Sequence, residues 1–249
     1  MKTSSIFFCL LLLAKFSYAQ QSQGDPALTE IWNPVPKVVT PGQTNNLPPS
    51  DAIVLFQSGK DSANWTTLTG KPFNWKISDG FMTVAPASTS SDIRTKKSFG
   101  DCQLHIEWRT PDVVKGEGQG RGNSGIFFMG KYELQVLDSY NNKTYSNGQA
   151  GSIYKQHIPM VNASRPPGEW QTYEVIFTAP RFYNDSMLKS PARISVFHNG
   201  VLVQNNVELW GPTQYIGVPK YIKHGDKEPL VLQDHHDLVS YRNIWIREL

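Results

Sequence analysis

From Asp51 onward, apolar and polar residues alternate with a period of two, the period of a strand that buries one face. Residues 101–109 show it most cleanly. Leu104, Ile106 and Trp108 point one way, and Gln103, His105, Glu107 and Arg109 point the other. Residues 170–178 alternate in the same manner, and the chain closes on a predicted strand over 240–247. The segments 194–197 and 201–204 flank His198-Asn199-Gly200, where Asn-Gly predicts a two-residue hairpin. Further strands are predicted over 53–56, 81–85, 125–129, 132–137 and 230–233. Neither an amphipathic helix pattern nor an internal repeat is visible. Many short strands joined by Gly, Pro and Asn turns predict an all-β fold, a two-sheet jelly-roll sandwich. Its sheets bury their apolar faces against each other, which leaves two outer faces for polar residues.

The ends of the chain change that picture only at the start. A basic Met1-Lys2, an apolar run from Ile6 to Leu13 and Ser17-Tyr18-Ala19 predict a secretory signal peptide over residues 1–19. The apolar run is too short to span a bilayer, so export is expected without an anchor. Residues 20–50, with Pro26, Pro34, Pro36, Pro41, Pro48 and Pro49 among polar residues, read as an extended leader or spacer, or as a wrap along one domain edge. The domain itself is expected over 51–249.

Composition then narrows the partners. The 249-residue chain carries 24 basic and 21 acidic residues. Residues 1–19 hold two of the bases and no acid, so the remainder is nearly neutral. Such a balance gives no reason to expect nucleic acid or an anionic membrane. Only Cys102 lies outside the leader, so a core rather than disulfides must hold the fold.

Three polar segments carry candidate chemistry. Arg121-Gly-Asn-Ser-Gly125 offers tight-turning glycines with Asn123 and Ser124 between them. In Lys131-Tyr-Glu-Leu-Gln-Val-Leu-Asp138, Glu133 and Gln135 share a strand face while Leu134 and Val136 take the core side. Asp138 joins Glu133 only if a bulge at Leu137 resets the alternation. Two carboxyls on one surface suit the acid and base roles of sugar chemistry. In Gln233-Asp-His-His-Asp237, His235 can act as base, acid or metal ligand near neutral pH, and Asp234 and His235 are the candidate ligands for a divalent cation. Tyr140 and Tyr145 follow the Asp138 strand and are placed to stack on a sugar ring.

Several linked stretches resemble the 3-keto-disaccharide hydrolase domain family over nearly all of 51–249. They are Phe99–Arg109, Arg121–Ile126, Tyr132–Tyr140, Val161–Trp170, Leu232–His235 and Tyr241–Arg247. The resemblance implies a concanavalin A-like jelly roll, export, and action on oxidised glycosides. Glu133-Leu-Gln-Val-Leu-Asp138 also resembles the Glu-x-Asp-x-x-Glu strand of laminarinase-type glycoside hydrolases, with Gln135 and Asp138 departing from it. These departures argue against ordinary retaining hydrolysis.

A ketone at C3 acidifies the C2 hydrogen, so a base there can start an elimination that expels the C1 substituent, and water added to the enone completes a net hydrolysis. The expected roles are Glu133 or His235 as base, and Asp138 or Glu107 as acid. Arg109 or a cation would stabilise the enolate, and Gln135, Asn123 and Gln233 would hold hydroxyls. The rival classes are a carbohydrate-binding module or lectin, a conventional retaining glycosidase, and an adhesive surface protein.

Overall fold

The computed structural model describes residues 24–85 and 91–249. The predicted signal peptide lies outside the described residues. The chain divides into a unit ending at Val38 and a body from Val39 to Leu249. In the first unit a short 3-10 turn covers Pro26–Thr29, and Asp25 caps it by accepting from the Ala27 N–H at 3.0 Å.

Among its described residues the body holds fifteen strands in chain order. They are β1 (Ile53–Phe56), β2 (Trp65–Thr67), β3 (Lys76–Ser78), β4 (Phe81–Thr83), β5 (Ile93–Phe99), β6 (Cys102–Arg109), β7 (Ser124–Phe128) and β8 (Tyr132–Val136), then β9 (Gln171–Thr178), β10 (Arg181–Phe182), β11 (Leu188–Ser190), β12 (Arg193–His198), β13 (Val201–Glu208), β14 (Glu228–Leu232) and β15 (Ser240–Glu248). One sheet runs β13-β12-β9-β6-β15-β4-β3, with β1 also on β15. The other runs β2-β5-β14-β7-β8, and β10 and β11 form a separate pair. This is a two-sheet jelly-roll sandwich, with long crossovers such as β5 to β14 putting sequence-distant strands side by side. Among the described residues no helix is long and apolar enough to cross a membrane.

The alternation does what a sandwich requires. Leu104, Ile106 and Trp108 of one sheet and Leu134 and Val136 of the other are all 1% exposed or less. The sheets meet through Phe128 stacked on Phe177, with centroids 4.8 Å apart, and through Tyr173, whose hydroxyl donates to the Gln135 carbonyl at 2.8 Å. Cys102 is buried in this core, which pushes its thiol up to about 12 and leaves it unreactive. The predicted Asn-Gly hairpin is present, with Asn199 and Gly200 at φ 52° and 81°. Met129-Gly130 makes the equivalent turn between β7 and β8, at φ 54° and 61°.

One sequence expectation changes here. A bulge at Asn243, with φ 44°, resets β15, so Trp245 stacks on His105 and is buried there, 2% exposed. Part of the expected spacer is bound rather than free. The Asn46 carbonyl accepts from the Asn243 amide at 2.8 Å and the Trp245 indole at 3.0 Å, so residues 39–50 strap the outer face of the larger sheet.

Candidate functional site

Glu133 and Gln135 leave β8 on the outer face of the smaller sheet, yet they are only 5% and 1% exposed. Loops folded over the strand explain this. The edge of β8 is paired by residues 151–154, through Gln135 N–H to Ser152 O at 3.0 Å and Tyr154 N–H to Glu133 O at 3.3 Å. Thr213 Oγ1 accepts from the Glu133 N–H at 3.0 Å. No edge is left for another chain to pair with here. A cavity of about 650 Å³ results, lined by Gln119, Asn123, Phe127, Glu133, Gln135, Tyr145, Tyr154, Thr213, Tyr215, Gln233 and His235.

The carboxyl of Glu133 fits because position 125 is glycine. A Cβ there would lie 2.7 Å from Glu133 Oε1. Gly125 thus makes room within β7, and its role is not the turn that the sequence suggests. Burial, and after it the charge of Asp92, pushes the Glu133 carboxyl up to about 8. The group is therefore largely protonated at neutral pH. The Gln135 amide satisfies its neighbours when its nitrogen donates to Ser124 O at 3.0 Å and to Glu133 Oε1 at 3.2 Å, which leaves the other Glu133 oxygen to carry the acid proton.

The loop carrying His235 is clamped by its neighbours. Gln233 N–H donates to Gly125 O at 2.9 Å, and Ser124 Oγ donates to Gln233 O at 2.6 Å. Asp234 N–H donates to Asp92 Oδ1 at 2.9 Å, and Asp237 Oδ2 accepts from Asn123 N–H at 2.7 Å. His235 itself stays exposed at the cavity rim. Gln233 Oε1 is buried with no protein partner, an acceptor for a hydroxyl brought in by a ligand. Opposite stands an aromatic wall. The Tyr145 and Tyr154 hydroxyls lie 2.6 Å apart, and Lys155 Nζ sits 4.2 Å from the Tyr215 ring centroid.

Glu133, Gln135, Asn123, Gln233 and His235 are thus brought together from three separated segments. Four expected residues are not among them. No bulge forms at Leu137. The strand ends at Val136, and Asp138 turns to accept from Arg121 Nε at 2.7 Å. Tyr140 lines no part of the cavity, and its carbonyl accepts from Arg121 at 3.0 Å. Glu107 and Arg109 belong to β6 and look out from the opposite side of the sandwich. Glu107 accepts from Arg242 Nε at 2.6 Å and from Asn243 at 2.9 Å. Burial works to raise its pKa, but bonds from His105, Asn243 and Arg242 outweigh that and hold it at about 2, too low for a proton donor at neutral pH. The Arg109 guanidinium packs between Phe81 and Trp170, at 5.0 and 4.7 Å. The Asp234 side chain is only 2% exposed and accepts from the His236 N–H. Among the described residues no group of three or more His, Cys, Asp or Glu side chains is placed to hold a metal ion, so Asp234 and His235 gain no third ligand.

Sequence reasoning missed Asp92, Gln119, Tyr154, Thr213 and Tyr215. Asp92 precedes a strand, Gln119 sits in a short 3-10 turn, the other three sit in loops, and none lies in a motif. Their shared signal, a cluster of Tyr and amide residues in loops after β6, gains meaning only once those loops are seen to converge.

A jelly-roll sheet with a polar, aromatic-walled cavity and a carboxyl at its floor defines a carbohydrate-acting enzyme. The chain belongs to the 3-keto-alpha-glucoside-1,2-lyase-like domain family, whose profile matches residues 51–247. A Parabacteroides distasonis ATCC 8503 protein, provisionally described as a glycosyl hydrolase in its crystal structure, is 49% identical, with a TM-score of 0.85 and 90% of this chain and 97% of that one covered. A second protein from that organism, described the same way, shares the fold at 20% identity and a TM-score of 0.59, over 80% and 94% of the two chains. Among curated proteins none matches the chain.

Proposed function

We propose that this is an exported enzyme that cleaves 3-keto glycosides by elimination next to the ketone, followed by addition of water. The observation that carries this reading is Glu133, a buried carboxyl held protonated at neutral pH on the cavity floor. His235, at the rim, takes the proton from C2. The electron pair left on C2 delocalises to the C3 oxygen. One hydrogen of the Tyr145–Tyr154 pair is used in their mutual bond, and the other is free to donate to that oxygen. The C1–O bond then breaks, and Glu133 protonates the departing oxygen. In the second half, the Glu133 carboxylate takes a proton from water as it adds to C1, and the His235 imidazolium returns a proton to C2. Both residues recover their starting states. Gln233 and Asn123 hold hydroxyls. Export rests on the leader over residues 1–19.

A conventional retaining mechanism needs a second carboxyl about 5–5.5 Å from the first. The expected partner, Asp138, is turned to Arg121 instead, which favours the elimination route. The test is a 3-keto α-glucoside carrying deuterium at C2, run beside the unmodified glucoside. A primary isotope effect with release of the alcohol is expected. Equal cleavage of the unmodified sugar would mean a conventional glycosidase, and binding without release would mean a lectin.

A further inference from the structure

The outer face of the larger sheet carries a hollow of about 530 Å³, in the opposite sheet from Glu133. Strand register builds it. Lys76 pairs with Thr83, Thr83 with Ser240, and Ser240 with Arg109. Paired residues share a face, so these four side chains form one row across β3, β4, β15 and β6. At about 4.8 Å per strand, the row is about 14 Å long at the backbone. It has a cation at each end and two hydroxyls between them.

Arg109 is unlike the arginines around it. Arg121, Arg181, Arg193, Arg242 and Arg247 each meet a carboxylate at 2.8 Å or less. Arg109 has no such partner among the described residues. Its guanidinium lies against the Phe81 and Trp170 rings, 5.0 and 4.7 Å from their centroids. Arg242 shares Trp170, at 4.0 Å, but Glu107 neutralises it. The rings fix the plane of the Arg109 guanidinium and leave its N–H edge without a protein acceptor. Lys76, exposed at the other end of the row, has no carboxylate partner among the described residues either. Between them Thr83 Oγ1 and Ser240 Oγ share one hydrogen bond of 2.9 Å, so one hydroxyl hydrogen remains to be given.

The charge of the hollow selects among anions. Asp112 is its one acidic lining residue, and Asp112 Oδ1 accepts from the Val113 N–H at 2.9 Å. Two cations, Lys76 and Arg109, face that one carboxylate, a net of +1. Such a balance suits singly charged oxyanions, carboxylates or sulfate esters, and opposes a dianion such as a phosphate monoester. The free Asp112 oxygen can accept from a hydroxyl. Phe81 stands two positions before Thr83 on the same strand face and offers a ring to C–H groups. Oxyanion, hydroxyls and a C–H face together describe a sugar that bears a carboxylate or a sulfate.

We propose that this row binds an acidic glycan. One oxyanion meets Arg109, another meets Lys76, and Thr83, Ser240 and Asp112 hold hydroxyls between and beside them. The site is separate from the Glu133 cavity and does not rest on the elimination reading. It holds the enzyme on a charged polysaccharide while the other sheet carries the chemistry.

The experiment is titration calorimetry with a short oligogalacturonate, a sulfated glucan oligomer and a neutral glucan oligomer. Wild type is expected to bind at least one of the two acidic oligomers and to bind the neutral one more weakly. Which acidic oligomer binds distinguishes carboxylate from sulfate. Arg109→Gln should weaken binding by about ten-fold or more. Lys76→Gln should weaken it by about three-fold. Lys189→Gln, which removes the same charge from the separate β10–β11 pair, should leave it unchanged. A thermal melt checks folding, and Lys76, being exposed, keeps the test open if Arg109→Gln unfolds. Binding of neither acidic oligomer, equal binding of the neutral one, or an equal loss in Lys189→Gln and Lys76→Gln would overturn the site.

Discussion

Replacing Glu133 by Gln tests the site through stability as well as turnover. The side chain is 5% exposed, and its carboxyl is pushed up to about 8 from an ordinary value near 4.5. Between those two pH values the folded protein holds a proton that the unfolded chain has released. Stability therefore falls as pH rises through this window, by about 1.4 kcal/mol per pH unit, and the whole interval is worth on the order of 5 kcal/mol. Glutamine keeps the shape of the neutral acid and never ionises, so it escapes that loss. Below pH 4.5, Glu133→Gln is expected to match wild type within about 1 kcal/mol. Near pH 8.5 it is expected to be the more stable by several kcal/mol. Urea unfolding at the two pH values measures this directly. Turnover of a 3-keto glycoside should collapse in the same variant, because the leaving oxygen loses its proton donor. In wild type, kcat/KM should decline above about pH 8 as that donor ionises. A variant whose stability tracks wild type at both pH values would refute the buried neutral acid. A variant that is stabilised at high pH yet fully active would keep the burial and remove Glu133 from the chemistry.

The opposite face of the sandwich gives predictions of the reverse kind. Glu107→Gln loses the charge that Arg242 Nε meets at 2.6 Å, and it should lower stability at pH 7 by roughly 1–3 kcal/mol while leaving kcat within about two-fold. Glu107 sits at about 2 when folded, so its contribution is present above pH 4.5 and lost as pH falls toward 2. A large drop in kcat at an unchanged melting temperature would return Glu107 to the catalytic machinery. A chain starting at Asp51 loses the Asn46 carbonyl that caps Asn243 and Trp245, and should be less stable by at least about 2 kcal/mol. An unchanged melting temperature for that chain would mean the strap is a spacer after all.

The strands were legible wherever one face is buried and the other polar. The predicted 53–56 coincides with β1, and 101–109 and 132–137 each contain the observed strand. The strand β5 escaped notice because Arg94, Lys96 and Lys97 mask its pattern, although it lies between β2 and β14. Glu133 and Gln135 shared a face because alternation is a local property of the backbone. The fate of Asp138 was not local. Its direction depends on where β8 ends and on an arginine seventeen positions earlier in the chain.

Sequence alone determined the all-β class, the inward and outward faces of the longer strands, and the polar segments from which the site is drawn. These follow from period-two geometry and turn chemistry, which act over a few residues. Only the tertiary structure decided which of those segments meet. It set Glu107 and Arg109 on one side of the sandwich and Glu133 with His235 on the other, because β6 and β8 lie in different sheets. It also turned Glu133 from a charged strand residue into a protonated acid. That change comes from loops folded over it and from the space left by Gly125, and neither is encoded in the spacing of the strand itself.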